Sequence, residues 1–218
     1  MENTIEIDGI QLKFNERRIL SDIYMKCCTG KITGLLGLNG QGKTCLMNII
    51  YGTLSAEYVS VRINDIGIKN LYKKPSLMTF LPQFNFIPDS LTLKKISEDF
   101  NFHQSVFFDL FPEFEQLYNL PICKLSGGQR RLIEVYSIVQ SNANFTLLDE
   151  PFTHLMPVQV EKIIKIMQDV KQRKGFIITD HLFDIVVELS DILYVLRNGK
   201  THNVKNMKDL EQFGYIKK

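Results

Sequence analysis

Cysteine and histidine are scarce in this chain, four of each among 218 residues. Cys27, Cys28, Cys45 and Cys123 form no CxxC pair and have no histidine cluster beside them. That excludes a zinc knuckle and a disulfide framework, and the four read as reduced thiols of a cytosolic protein. No stretch approaches the ~20 apolar residues of a membrane span. The start, MENTIEIDGI, has no basic patch leading into an apolar run, so no signal peptide is expected. A role at a membrane would need another chain for the membrane part. Charge of one sign is lacking too. The net charge is +2 and the sequence pI about 8.3, too mild to make nucleic acid the main partner. Low-complexity tracts, long linkers and internal repeats are missing.

What is present is ordinary globular material, 44% hydrophobic and 23% charged, so residues 1–218 are expected to form a single domain. Short strands are predicted at 4–8, 11–14 and 22–27, with Gly9 and Asn15 as turns. A strand at 31–37 runs into a glycine-rich loop, followed by a helix over 43–51 that Gly52 stops. Further strands are predicted at 59–63 and 78–81. Residues 92–139 read as mostly helical, broken near Pro112 and Pro121. After that come strands at 145–148, 175–179 and 192–196, and helices at 157–171 and 182–189. This alternation predicts an α/β fold with a mostly parallel sheet covered by helices.

Gly37-Leu38-Asn39-Gly40-Gln41-Gly42-Lys43-Thr44 matches G-x-x-x-x-G-K-[ST] at every fixed position. The glycines allow unusual backbone conformations and close approach of N–H groups to an anion. The helix that follows turns its unsatisfied N–H groups and positive dipole end to the same anion. Lys43 can reach the β- and γ-phosphates, and the Thr44 hydroxyl can ligate Mg²⁺. Cys45, the next residue of the helix start, is expected among the phosphate-binding residues. The strand ending Phe145-Thr-Leu-Leu-Asp149-Glu150 brings two carboxylates to the edge where parallel sheets bind ligands. Asp149 suits Mg²⁺, and Glu150 can orient or deprotonate the water attacking the γ-phosphate. By itself the pair could equally be a solvated loop opening.

Leu125-Ser126-Gly127-Gly128-Gln129 precedes the acidic strand and opens a helix. With the phosphate loop, it makes the chain resemble the ATP-binding cassette (ABC) family from about Ile5 to about Gly199. That resemblance implies a P-loop NTPase (RecA-like) core, an N-terminal antiparallel β subdomain and an inserted helical subdomain at about 90–140. It implies that Phe14 stacks on adenine, although a core role at a strand end is the alternative. Gln83 matches the glutamine that reaches Mg²⁺ and the attacking water, and His181 the switch histidine on the γ-phosphate. It also implies a head-to-tail pair of cassettes, a homodimer or a heterodimer with a related cassette. There Ser126, Gly127, Gly128 and Gln129 face the ATP of the partner. The resemblance makes the chain an ATPase subunit that drives membrane permease subunits from the cytoplasmic face.

The stretches Leu125–Glu134, Leu147–Phe152 and Ile177–His181 are similar to cassettes of lipopolysaccharide export and of branched-chain amino acid import. Cassettes read cargo through their permeases, so the substrate is not written here. A soluble cassette acting on ribosomes or DNA is a rival reading. The chain lacks the second cassette, long coiled coil or basic patch of those proteins. A regulatory cassette that hydrolyses weakly is a second rival. It draws on Met156, which stands where the family usually has an aspartate that hydrogen-bonds across the dimer. A thioether is a weak, uncharged acceptor. Phe84, Phe86, Ile87 and Leu91 are expected either to line a groove for a permease helix or to pack as core.

Overall fold

A computed structural model describes residues 2–215. The N-terminal strand β1 (Thr4–Phe14) pairs antiparallel with β2 (Arg17–Leu20), β3 (Tyr24–Cys28) and β5 (Tyr58–Ile63), and the short β6 (Ile66–Gly67) extends β5. Gly9 is not the turn its residue type predicts. It takes φ 61° within a continuous strand, where the β1–β5 register slips between Asp8 and Gln11. The glycine absorbs a bulge and the strand runs on. Asn15, at φ 53°, does make a turn, and it opens the hairpin into β2. The sequence did not announce β2 because Arg17 and Arg18 interrupt any apolar alternation.

The second sheet has the order β11-β10-β4-β9-β8-β7. It contains β4 (Ile32–Leu36), β7 (Met78–Leu81), β8 (Phe145–Asp149), β9 (Gly175–Thr179), β10 (Ile192–Arg197) and β11 (Lys200–Val204). The first five are mutually parallel, and β11 joins antiparallel at the edge. Strands β4, β8 and β9 are buried along their whole length. Successive side chains serve opposite faces. Leu35, Leu147 and Ile177 pack towards the antiparallel sheet and α1 (Lys43–Tyr51), whereas Leu36, Leu148 and Ile178 pack towards the other helices. Two apolar layers therefore grip the sheet. This explains continuous apolar strand sequences with no alternation.

The helices on the second face are α4 (Gly127–Gln140), α5 (Pro157–Val170) and α6 (Phe183–Leu189). Between β7 and α4 lie α2 (Leu93–Asp99) and α3 (Gln104–Leu110), then 3₁₀ turns at Pro112–Leu117 and Ile122–Lys124. The breaks expected at the two prolines are present. Another falls at Phe100–His103, where Asn101 takes φ 53°. Phe107 sits at the centre of this insert, with its ring 5.2 Å from Phe111, 5.2 Å from Phe114 and 4.8 Å from Tyr136 of α4. These rings, Leu93 and Ile96 belong to the same apolar cluster as Leu36 and Leu148 of the sheet. Beyond β10 the chain adds β11 and α7 (Met207–Phe213), two elements that the polar run Lys200–Lys208 conceals from a sequence reading.

Candidate functional site

The carboxyl ends of β4, β7, β8 and β9 converge on one edge of the parallel sheet. A cavity of about 470 Å³ opens there, lined by Phe14, Ile19, Asn39, Gly40, Gly42, Lys43, Thr44, Cys45, Gln83, Glu150 and His181. Residues from five separate stretches of the sequence meet in it.

The loop leaving β4 wraps this cavity because two of its glycines take left-handed backbone, Gly40 at φ 77° and Gly42 at φ 99°. A side chain at Gly42 would also run into Ile19, 2.8 Å from its Cβ position. The turn delivers the chain directly into α1, whose free N–H groups face the cavity. Lys43 Nζ donates to the carbonyls of Gly37 (2.7 Å) and Leu38 (3.4 Å). Burial lowers the Lys43 pKa, while the charges of Glu150 and Asp149 pull it back up. The remaining loop residues have other work. The Gln41 side chain accepts from Asn198 N–H at 3.1 Å and ties the loop to the β10–β11 turn. Leu38 is exposed and lines a neighbouring cavity with Asp180 and Phe183.

At the end of β8, Asp149 is buried beneath Lys43 and Thr44, and neither of its carboxylate oxygens has a hydrogen-bond partner. Burial pushes its pKa up to about 6, opposed by the nearby Thr44 hydroxyl and by Lys43 and Arg131. A buried, unsatisfied carboxylate is costly unless something neutralises it. An oxygen-ligated divalent cation answers that need, and Mg²⁺ commonly uses one or two carboxylates plus substrate phosphates. Asp149 and Thr44 therefore fit Mg²⁺. Glu150 follows at φ 52°, a left-handed conformation that costs a non-glycine residue of order 1–3 kcal/mol. Its N–H donates to Thr179 O at 2.8 Å. Its Oε1 lies 2.7 Å from His181 Nε2. Of this pair, Glu150 is nearly buried and His181 half exposed.

Phe14 reaches the cavity rim from the β1–β2 hairpin and is 48% exposed, so it is a free ring face rather than a core residue. Gln83 reaches the cavity from the loop after β7. Ser126, Gly127, Gly128 and Gln129 do not line it. They form the start of α4, where Ser126 Oγ accepts from Gln129 N–H (3.2 Å) and Gln129 Oε1 accepts from Ser126 N–H (2.9 Å). The reciprocal cap occupies the Gln129 amide oxygen but leaves the Ser126 hydroxyl proton free. A side chain at Gly128 would sit 2.6 Å from His154 O, so only glycine lets the loop 153–156 lie against this helix start.

Some ordering residues escape a reading by motif. Asp180 accepts from Phe152 N–H and Leu182 N–H, both at 3.0 Å, and so links the segments after Glu150 and after His181. Arg131 donates to the carbonyls of Pro82, Asp149 and Glu150. Both lie inside the quoted motifs, yet their partners are backbone atoms distant in sequence, which no spacing reveals. Of the four residues after Gln83, Phe84 is exposed whereas Phe86, Ile87 and Leu91 pack on the core.

The model of the ABC transporter family matches residues 20–153 of this chain. The chain belongs to the ABC transporter family. It is an ATP-binding subunit, of a family that hydrolyses ATP and pairs such subunits with permease components. An uncharacterized ABC transporter ATP-binding protein of Rhizobium meliloti is 30% identical over 221 residues, covering 94% of this chain and 82% of its own. The lipopolysaccharide export system ATP-binding protein LptB of Haemophilus influenzae is 28% identical, covering 88% and 86%. Among solved structures, an ATP-binding cassette of an ABC transporter in its ADP conformation superposes with a TM-score of 0.73 at 26% identity, covering 97% and 94%. The α/β cassette fold expected from the motifs is therefore present, with its antiparallel sheet, mostly parallel core sheet and helical insert. No helix among the described residues is long and apolar enough to cross a membrane.

Proposed function

We propose that the chain is one ABC ATP-binding domain, residues 1–218, whose cavity holds Mg·ATP and whose Glu150 is the hydrolytic base. The observation that carries this reading is the meeting of Lys43, Thr44, Gln83, Glu150 and His181 around one cavity, with unsatisfied Asp149 beneath it. The adenine ring stacks on Phe14. The phosphates take the N–H groups of residues 37–45 and the Lys43 ammonium, which exchanges its loop carbonyls for phosphate oxygens. Thr44, Asp149 and Gln83 would hold Mg²⁺, which would neutralise phosphate charge. Glu150 accepts a proton from the attacking water. His181, whose Nε2 lies 2.7 Å from Glu150 Oε1, stands beside that carboxylate and reaches the γ-phosphate.

Ser126 and the N–H groups of Gly127 and Gly128 lie outside the chain's own cavity. This supports a role on the ATP of a second cassette, in a homodimer. The dimer drives permease subunits from the cytoplasmic face of a membrane, with the exposed Phe84 among the residues offered to them. The likeness to LptB makes an export system of that kind one candidate, and the permease decides the cargo. Purification of the tagged protein from native membranes tests the transport reading. A co-purifying membrane protein supports it, and ribosomes without any membrane protein contradict it.

A further inference from the structure

One turn of α4 carries a buried ionic cluster that the ATP chemistry described above does not use. Arg131 is 2% exposed and Glu134 fully buried, with Arg131 Nη1 3.7 Å from Glu134 Oε2. The Arg131 fork points away from its own helix. Nη1 donates to Pro82 O at 2.9 Å, and Nη2 to Asp149 O at 3.0 Å and Glu150 O at 2.9 Å. Pro82 directly precedes Gln83. The two other carbonyls flank the backbone of Glu150, which is held in its left-handed conformation. Such a conformation persists where the surroundings over-determine it. Here the determinants are Arg131 on one side and the Glu150 N–H bond to Thr179 O on the other.

Glu134 grips the far end of the same loop. Its Oε1 accepts from Phe86 N–H (3.1 Å), Ile87 N–H (3.3 Å) and Arg130 Nε (3.3 Å). Arg130 also donates to Ile87 O at 2.5 Å and pairs with Asp89. The segment carrying Gln83 and the exposed Phe84 is thus anchored at both ends to the helix that begins with the signature residues. A planar guanidinium presents donors on two edges in one fixed fork, whereas an ammonium is a compact point charge with a shorter span.

We infer that Arg131, with its charge balanced by Glu134, is a positioning residue for hydrolysis: it sets Glu150 and Gln83 at a fixed separation while leaving nucleotide affinity to the phosphate loop. This rests on Glu150 being the base. Misplacement of a reacting group by about 1 Å costs about 100-fold in rate.

The test is steady-state ATPase kinetics and fluorescent-nucleotide binding on the purified full chain, with Arg131→Lys, Arg131→Met, the double variant Arg131→Met/Glu134→Leu, and Glu150→Gln. Arg131→Lys keeps the charge and loses the span. It is expected to lower kcat about 10- to 100-fold with nucleotide Kd and KM close to the parent's. Arg131→Met strands a buried carboxylate and is expected to lose thermal stability as well. The double variant removes both charges and regains that stability, as apolar replacements of buried pairs do, yet its kcat stays low. A parental kcat in Arg131→Lys, or in a folded double variant, overturns the inference. If the double variant does not fold, Arg131→Lys alone decides. Glu150→Gln separates the two readings. If it is inactive while Arg131→Lys is normal, only the positioning role falls. If Glu150→Gln hydrolyses ATP like the parent, the base assignment falls.

Discussion

The Lys43 ammonium is largely buried, bonded to two loop carbonyls, and close to two carboxylates. Its charge costs solvation, so the phosphates of a nucleotide are its natural counter-ion. Replacing Lys43 by Ala removes a charge-assisted donor that no neighbour replaces. Nucleotide affinity is expected to fall about 10- to 100-fold, since hydrogen bonds to charged groups contribute about 1.5–3 kcal/mol. Titration with a fluorescent ATP analogue reads this, and an unchanged Kd contradicts the assignment. At this scale the sequence was readable wherever the chemistry is contiguous. Residues 37–44 form one continuous loop and helix start, so their motif is read as a single stretch. Phe14, Gln83 and His181 were readable only through family resemblance, because each meets the cavity from a different strand end. Arg131 and Asp180 had no signal at all, since carbonyl and N–H partners have no residue identity.

The elements carry their own consequences. Lys174, at the entry to β9, is fully buried and donates to Val139 O (3.0 Å) in α4, Ser141 Oγ (3.1 Å) just beyond it and Thr146 Oγ1 (3.2 Å) in β8. Burial lowers its pKa to about 7, with Arg173 adding to the effect. The unfolded chain keeps that proton up to an ordinary lysine pKa near 10.4. Between about pH 7 and 10 the unfolded state therefore binds more protons, and this site makes stability rise with pH, by at most about 1.4 kcal/mol per unit. Chemical denaturation across that range is expected to show the rise in the parent protein and lose it in Lys174→Met. Equal slopes in both proteins contradict it. Met156 precedes α5 and is 60% exposed, with its N–H donating to Gln159 Oε1 at 3.1 Å. Its thioether cannot cap the helix. Met156→Asp supplies both an N-cap acceptor and a charge suited to the dipole, so it is expected to stabilise α5 by about 0.5–2 kcal/mol. It is also expected to raise dimer-dependent turnover. An unchanged thermal midpoint defeats the first expectation, and an unchanged ATPase rate with unchanged ATP-driven dimerisation defeats the second. Elements with a strong apolar pattern, periodic in α5 and continuous in β8, were legible nearly to their ends. The strands β2 and β11 were not, because edge strands carry polar residues on their exposed sides.

For the whole molecule, the phosphate loop and acidic pair share one cavity, whereas the signature residues open α4 outside it. The geometry places the signature residues outside the cavity that the phosphate loop lines, and the proposed head-to-tail pair of two copies would bring the two together. In that proposed pair ATP would contribute to the interface, and hydrolysis would release it. Order along the sequence showed that all three motifs are present. It could not show that they fail to meet within one chain, because that is a property of the folded surface. The most direct test is Glu150→Gln with Mg·ATP, followed by light scattering after size-exclusion chromatography and by phosphate release. The account predicts a stable ATP-bound dimer and hydrolysis reduced at least about 100-fold. A monomer that binds ATP normally, or phosphate release at the parental rate, would contradict it.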